Sequence, residues 1–250
     1  NNFYLPAIIS NLENIKCTLK TREILKLYNH KIVIKHLEEQ LSLSKENKNL
    51  KKGIMRCLAG YTDDRVILII KEYLRVNNID MSIICSESLL KIAKNRSKIF
   101  DFEDYFFISI KNFTHQYFKL HCFKISLEDN ENTFFIKDQI GYEMRRCLYI
   151  ILKVVTLKIP NSPIDSHIKN IIENNDKDLP YILEFFETSF SKKTLNLLMP
   201  MIDPENNYKN EKIQNQLSNN PLNSWIKNWS ESNNNWKSAI SIDYSLKHDK

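Results

Sequence analysis

The stretch "LKTREILKLYNHKIVIKHLEEQL", Leu19 to Leu41, lies in register over "LKKGIMRCLAGYTDDRVILIIKEYL", Leu50 to Leu74. Each reads as a helix, a short polar break and a second helix. Leu19 falls on Leu50, Leu27 on Leu58, Leu37 on Ile70 and Leu41 on Leu74, a period of roughly 31 to 33 residues. The breaks are "NH" at Asn29 and "GYTDD" from Gly60, where Thr62 or Asp63 is placed to cap the following helix. A third copy of the first helix follows in "IDMSIICSESLLKIAK", Ile79 to Lys94. Paired helices at such a period bury their apolar faces only against neighbouring pairs, which is the pattern of an α-solenoid. The expected fold class is therefore all-α.

The units fit HEAT-like pairs better than tetratricopeptide or ankyrin repeats, since no W-LG-Y or TPLH signature occurs. Working outward, residues 1–100 are expected to form the N-terminal repeats. Residues 101–159 then break the pattern as a long helix hairpin. "DFEDYFFISIKNFTHQYFKLHCF" carries Phe102, Tyr105, Phe106, Ser109, Phe113, Tyr117 and Leu120 at spacings of three and four, one wide stripe on one helix face. "FFIKDQIGYEMRRCLYIILKVVT" supplies the returning helix, joined through "SLEDNENT" and ended by Pro160 and Pro163. Residues 160–250 resume helix pairs: Pro163 to Asn175, the pair within 178–204, a polar span from Glu205 to Asn220, and two short helices broken at Ser230 to Asn234. The whole is expected to run as one continuous solenoid.

Composition narrows function by exclusion. Three glycines occur in 250 residues, and no two lie closer than Gly53 and Gly60, so no phosphate-cradling loop can be built from clustered glycines. Five scattered cysteines, an odd number without a CxxC pair, read as reduced and buried. The most apolar run, "CLYIILKVVTLKI", is short for a bilayer span and carries Lys153 and Lys158, so it reads as a buried helix. The opening "NNFYLP", without an initiator Met, reads as that of a fragment or processed product.

No motif for catalysis stands out. His115 and His121 lie six apart, not at the i, i+4 spacing of a zinc-binding helix face, and His30 and His36 lack a nearby Cys or acidic motif. Glu38 with Glu39, Asp63 with Asp64 and Glu103 with Asp104 are adjacent pairs, which on a helix point about 100° apart and cannot face each other. The expectation is a non-enzymatic chain with no catalytic residues, no metal and no cofactor.

Charge is more informative. Residues 1–100 hold 18 Lys and Arg against 10 Asp and Glu, whereas residues 101–250 hold 18 against 20. Lys20, Arg22 and Lys26 recur in register with Lys51, Lys52 and Arg56, and are taken as a basic interaction surface for an acidic partner: acidic protein, anionic lipid or nucleic acid. Pairing with Glu23 would dilute it.

"YILEFFETSFSKKTLNLLMPMIDP", Tyr181 to Pro204, resembles the unit read loosely as "ALELLDNLL…LRRLLLPLLED" in HEAT-repeat regions appended to bacterial membrane proteins similar to nucleotide (ATP/ADP) translocases and major-facilitator transporters. The matching positions are Ile182 to Phe185 and Leu197 to Asp203. Upstream, residues 30–74 resemble that family's successive HEAT units, and downstream Trp225 and Trp236 match its "LEEWL…DPDPWLRACALYALG" unit, with Asn233 to Asn235 in place of the usual Asp-Pro. The resemblance implies a cytoplasmic interaction or regulatory region of a transporter-like membrane protein. Its partner is then another protein or its own transmembrane domain, with membrane association through a preceding region. No transport residue carries over, because no position matches a substrate-binding motif. Two alternatives accompany this reading: a HEAT-fold nucleic-acid-binding protein or DNA glycosylase-like enzyme using the basic repeats, and a freestanding interaction scaffold.

Overall fold

The computed structural model describes residues 2–44, 47–75, 78–95, 103–131, 133–159, 161–162, 164, 167–168, 177, 179–202, 226–227, 229–231 and 235–248. Among these the chain is all-helical, with no strand. It divides into two compact units, Asn1–Ser109 with Leu152–Ser162, and Ile110–Ile151 with Pro163–Lys250. Residues of the long hairpin, 101–159, thus belong partly to each.

The N-terminal unit contains α1 (Leu5–Ser10), a 3-10 turn (Asn11–Glu13), α2 (Thr18–Leu25), α3 (His30–Leu43), α4 (Lys48–Leu58), α5 (Asp64–Arg75) and α6 (Ile79–Lys94). Four short polar side chains start four of these helices. Asn29 Oδ1 accepts from Lys31 N–H at 3.0 Å, Asn47 from Leu50 at 3.0 Å, Asp63 from Arg65 at 2.9 Å and Asn78 from Met81 at 3.1 Å. Each satisfies a backbone donor that the helix itself leaves unpaired, a contribution of about 1 kcal/mol. Of the two residues placed to cap α5, Asp63 makes the bond.

Alternate helices are neighbours here. α1 packs on α3, α2 on α4 and α4 on α6. α3 reaches α5 through the Glu38–Arg65 ion pair and through the Tyr73 hydroxyl, which donates to the Leu41 carbonyl at 3.3 Å. Consecutive helices also pack, α3 on α4 and α5 on α6. The apolar periodicity explains both kinds of contact. α4 buries Leu50, Ile54, Cys57 and Leu58, while α6 buries Met81, Ile84, Cys85, Leu89, Leu90 and Ile92 around most of its circumference.

One approach is closer than side chains allow. A Cβ at Gly53 of α4 would lie 2.0 Å from the Leu12 carbonyl oxygen and 2.8 Å from its carbon, so the 3-10 turn rests directly on helix backbone. Four residues after that turn α2 begins.

In the second unit, α7 (Glu103–Ser126) carries the expected aromatic stripe, buried at Phe113, Tyr117 and Leu120. The side chains of Phe102, Tyr105 and Phe106 lie outside the described residues. The Tyr117 hydroxyl donates to the Met201 carbonyl at 2.8 Å, joining α7 to α10 (Lys192–Ile202). Between α7 and α8 (Phe134–Thr156), the Thr133 hydroxyl donates to the Glu128 carbonyl at 2.5 Å, and Lys137 pairs with Asp129 at 2.6 Å. In the apolar run of α8, Cys147 through Val155 are all buried, Lys153 included.

The pair within 178–204 forms α9 (Leu179–Ser189) and α10, which pack on each other around Ile182, Phe186 and Leu198. Pro180 sits in the first turn of α9, and α10 runs two residues beyond Pro200. Asp178, most of Pro163 to Asn175, all of Glu205 to Asn220, and Trp225 lie outside the described residues. α11 (Asn235–His248) begins where the break after Ser230 was expected to end. Among the described residues no helix is long and apolar enough to cross a membrane.

Glu143 of α8, 2% exposed, joins α8 to α11. Its carboxylate accepts from Lys237 Nζ at 2.8 Å and Arg146 Nη1 at 3.2 Å, with the Gln139 amide donating at 3.3 Å. Lys237 also lies 5.2 Å over the Trp229 ring. Removing one partner of a buried pair leaves uncompensated charge, which costs far more than the pair contributes.

Two outcomes follow from these contacts. Gly53→Ala gains about 1 kcal/mol of helix propensity but forces a backbone carbonyl aside, at a cost of typically 1–3 kcal/mol or more. The net is no gain and up to about 2 kcal/mol of destabilisation in urea unfolding followed by far-ultraviolet circular dichroism; a variant stabilised by the full propensity gain would contradict the close approach. Glu143→Leu costs about 3 kcal/mol, read from tryptophan fluorescence during denaturation, and adding Lys237→Met recovers part of it.

Candidate functional site

α2, α4 and α6 each carry a cation in the last turn: Arg22, Arg56, and Lys91 with Lys94. Arg22, Arg56 and Lys91 recur 34 and 35 residues apart. All three line one cavity of about 330 Å³. α2 contributes Leu19, Arg22 and Glu23, with Lys26 just beyond its end, and α4 contributes Arg56 and Cys57. Gly60 and Tyr61 close the wall after α4, and Lys91 and Asn95 complete it from the end of α6.

The cavity holds four cations against one carboxylate, and that carboxylate is engaged: Glu23 Oε1 pairs with Lys26 Nζ at 2.8 Å. Among the described residues no carboxylate pairs with Arg22, Arg56 or Lys91. Arg22 Nε is shut off from water without a hydrogen-bond partner. A buried donor left unsatisfied costs about 1–3 kcal/mol.

A purely structural account assigns these cations to the helix ends. Each helix C-terminus carries roughly half a negative charge, and a cation in the last turn offsets it. Three such ends amount to about −1.5, less than the surplus of three positive charges left after Glu23. The cavity therefore stays electropositive.

Its other walls are neutral. Burial pushes the Cys57 thiol up to about 11 against the opposing pull of Arg22 and Lys91, and burial raises the Tyr61 phenol well above its ordinary value. Neither is a nucleophile near neutral pH. Tyr61, 7% exposed, meets His30 edge-on with ring centroids 5.5 Å apart. The arrangement is suited to holding an anion through guanidinium, ammonium and phenol donors.

The six residues expected to form a basic surface divide by their position along the helices. Arg22, Lys26 and Arg56 lie at the C-terminal ends and meet around the cavity. Lys20, Lys51 and Lys52 lie nearer the starts of α2 and α4 and do not line it; Lys20 is exposed, while Lys51 and Lys52 are half-buried. Sequence reading missed Lys91, Tyr61 and Asn95. The missed signal was the last-turn cation recurring in the third copy.

The remaining titratable groups are dispersed. Burial, with Lys124 nearby, holds His121 below its ordinary pKa, while His36 Nδ1 lies 3.2 Å from Glu39. Among the described residues no group of His, Cys, Asp and Glu is placed to hold a metal. Cys57, Cys85, Cys122 and Cys147 are buried free thiols, and Cys17 is half-buried.

Burial raises Cys57 to about 11, Cys147 to about 12 and Cys85 higher still, from an ordinary 9.0. Above pH 9 the unfolded chain sheds these protons while the folded chain keeps them, so stability falls as pH rises through that window. The slope reaches about 1.4 kcal/mol per pH unit for each thiol involved. Urea midpoints measured from pH 8 to 11 are expected to decline, and Cys57→Ala with Cys147→Ala to flatten the decline.

No protein family, no curated protein and no solved structure matches this chain in comparisons of sequence and of fold.

Proposed function

We propose that the chain is a non-catalytic helical interaction region, built of HEAT-like pairs and serving a transporter-like membrane protein on its cytoplasmic side. Its basic N-terminal unit receives an acidic segment, from the protein's own membrane part or from a partner. The observation that carries this reading is the convergence of Arg22, Arg56 and Lys91 at one edge, where their charge exceeds what three helix ends neutralise. The alternate-helix packing of α2, α4 and α6 supports the repeat assignment, because a solenoid stacks corresponding helices of successive pairs.

Such a surface acts by presentation, and its strength depends on ionic screening. The screening length shortens from about 10 Å at 0.1 M salt to about 3 Å at 1 M. Polyglutamate is expected to bind the full chain at low salt and to be released as salt rises toward 1 M. Arg56→Glu with Lys91→Glu is expected to weaken binding roughly tenfold or more, and Lys51→Glu with Lys52→Glu distinctly less. Equal effects from both pairs would show that overall charge, not this edge, does the binding. Tighter binding to duplex DNA, with a salt slope implying several phosphate contacts, would move the reading to nucleic acid.

A further inference from the structure

We propose that the cavity among Arg22, Arg56 and Lys91 is a binding site for a phosphomonoester dianion. This rests on the reading of that edge as an anion-receiving face and specifies which anion it takes.

The cavity already contains a carboxylate, and its behaviour is informative. Glu23 settles on Lys26, and among the described residues no carboxylate pairs with either guanidinium or with the Lys91 ammonium. A second carboxylate carries one charge and engages one guanidinium fork. A phosphomonoester carries nearly two charges at neutral pH and three acceptor oxygens, enough to meet two guanidiniums and an ammonium together. Arg is the side chain whose planar fork matches phosphate oxygens two at a time. Tyr61, kept protonated by burial, supplies a neutral hydroxyl donor.

Size and access agree. A volume of about 330 Å³ sits at the small end of ligand pockets, suited to a phosphoryl head group with a short attachment. Arg56, Lys91 and Asn95 are exposed, so the cavity is entered from solvent. Arg22 is half-buried with its Nε closed off from water, so part of its side chain is already desolvated before a ligand arrives. Glu23 opposes a dianion and acts against weak, nonspecific occupancy.

The test titrates the full chain with inorganic phosphate, a nucleoside monophosphate, and a phosphoserine peptide beside the same peptide with aspartate at that position. Saturable one-to-one binding of a phosphorylated probe is expected, at least tenfold tighter than the aspartate peptide. Arg56→Gln and Lys91→Gln, both at exposed positions, each weaken it roughly tenfold, Glu23→Gln tightens it, and Lys20→Gln leaves it unchanged, with circular dichroism confirming the fold of each. Preference for the nucleotide or for the phosphopeptide assigns the source of the phosphoryl group.

No saturable binding of any phosphorylated probe up to about 10 mM, equal affinity for the aspartate peptide, or equal loss in Lys20→Gln overturns the proposal. Polyglutamate binding that phosphate does not displace overturns it too, while leaving the interaction reading intact. Absence of both kinds of binding removes both.

Discussion

The Gly53–Leu12 approach sets the geometry on which the N-terminal unit depends. With no side chain at Gly53, the carbonyl of the 3-10 turn sits where a Cβ would be, and the chain reaches α2 only four residues later. The distance of the 3-10 turn from α4 is therefore set by backbone contact rather than by adjustable side chains. α2 packs on both this turn and α4, which places Arg22 and Arg56 around one cavity, and α4 packing on α6 brings in Lys91. A chain with only three glycines has placed one where no other residue fits.

Helix starts are handled by another economy. Asn29, Asn47, Asp63 and Asn78 open α3, α4, α5 and α6 with side-chain acceptors, and the breaks at Asn29, Asn47 and Asn78 contain no glycine. This is why the helical organisation is readable from the residues alone. The break at Asn29, the cap at Asp63 and the buried stripe of Phe113, Tyr117 and Leu120 each follow from local chemistry that tertiary packing does not overrule. The helix pair around Phe186 follows in the same way.

The site was less legible, for a definite reason. Register between two copies places Lys20, Arg22 and Lys26 beside Lys51, Lys52 and Arg56 as one stripe, but register does not say where each helix ends. Once the ends are known, Arg22, Lys26 and Arg56 separate from Lys20, Lys51 and Lys52, because the cations that reach the shared cavity lie in or just beyond a final turn. Tyr61 and Asn95 were invisible for a related reason. They follow helices instead of lying on them, and their neighbours come from packing across more than 30 residues of sequence. The buried Glu143, Arg146 and Lys237 group in the second unit is similar: nothing in the spacing of Glu143 and Lys237, 94 residues apart, announces it.

The last-turn cations also bear on how such chains diverge. Because Arg22, Arg56 and Lys91 compensate helix termini as well as enriching a cavity, selection for folding alone would retain them after any ligand had been abandoned. The place where α2, α4 and α6 end keeps its positive charge for reasons of folding alone. Reshaping one wall residue such as Tyr61 or Glu23 would change the cavity without rebuilding the charge.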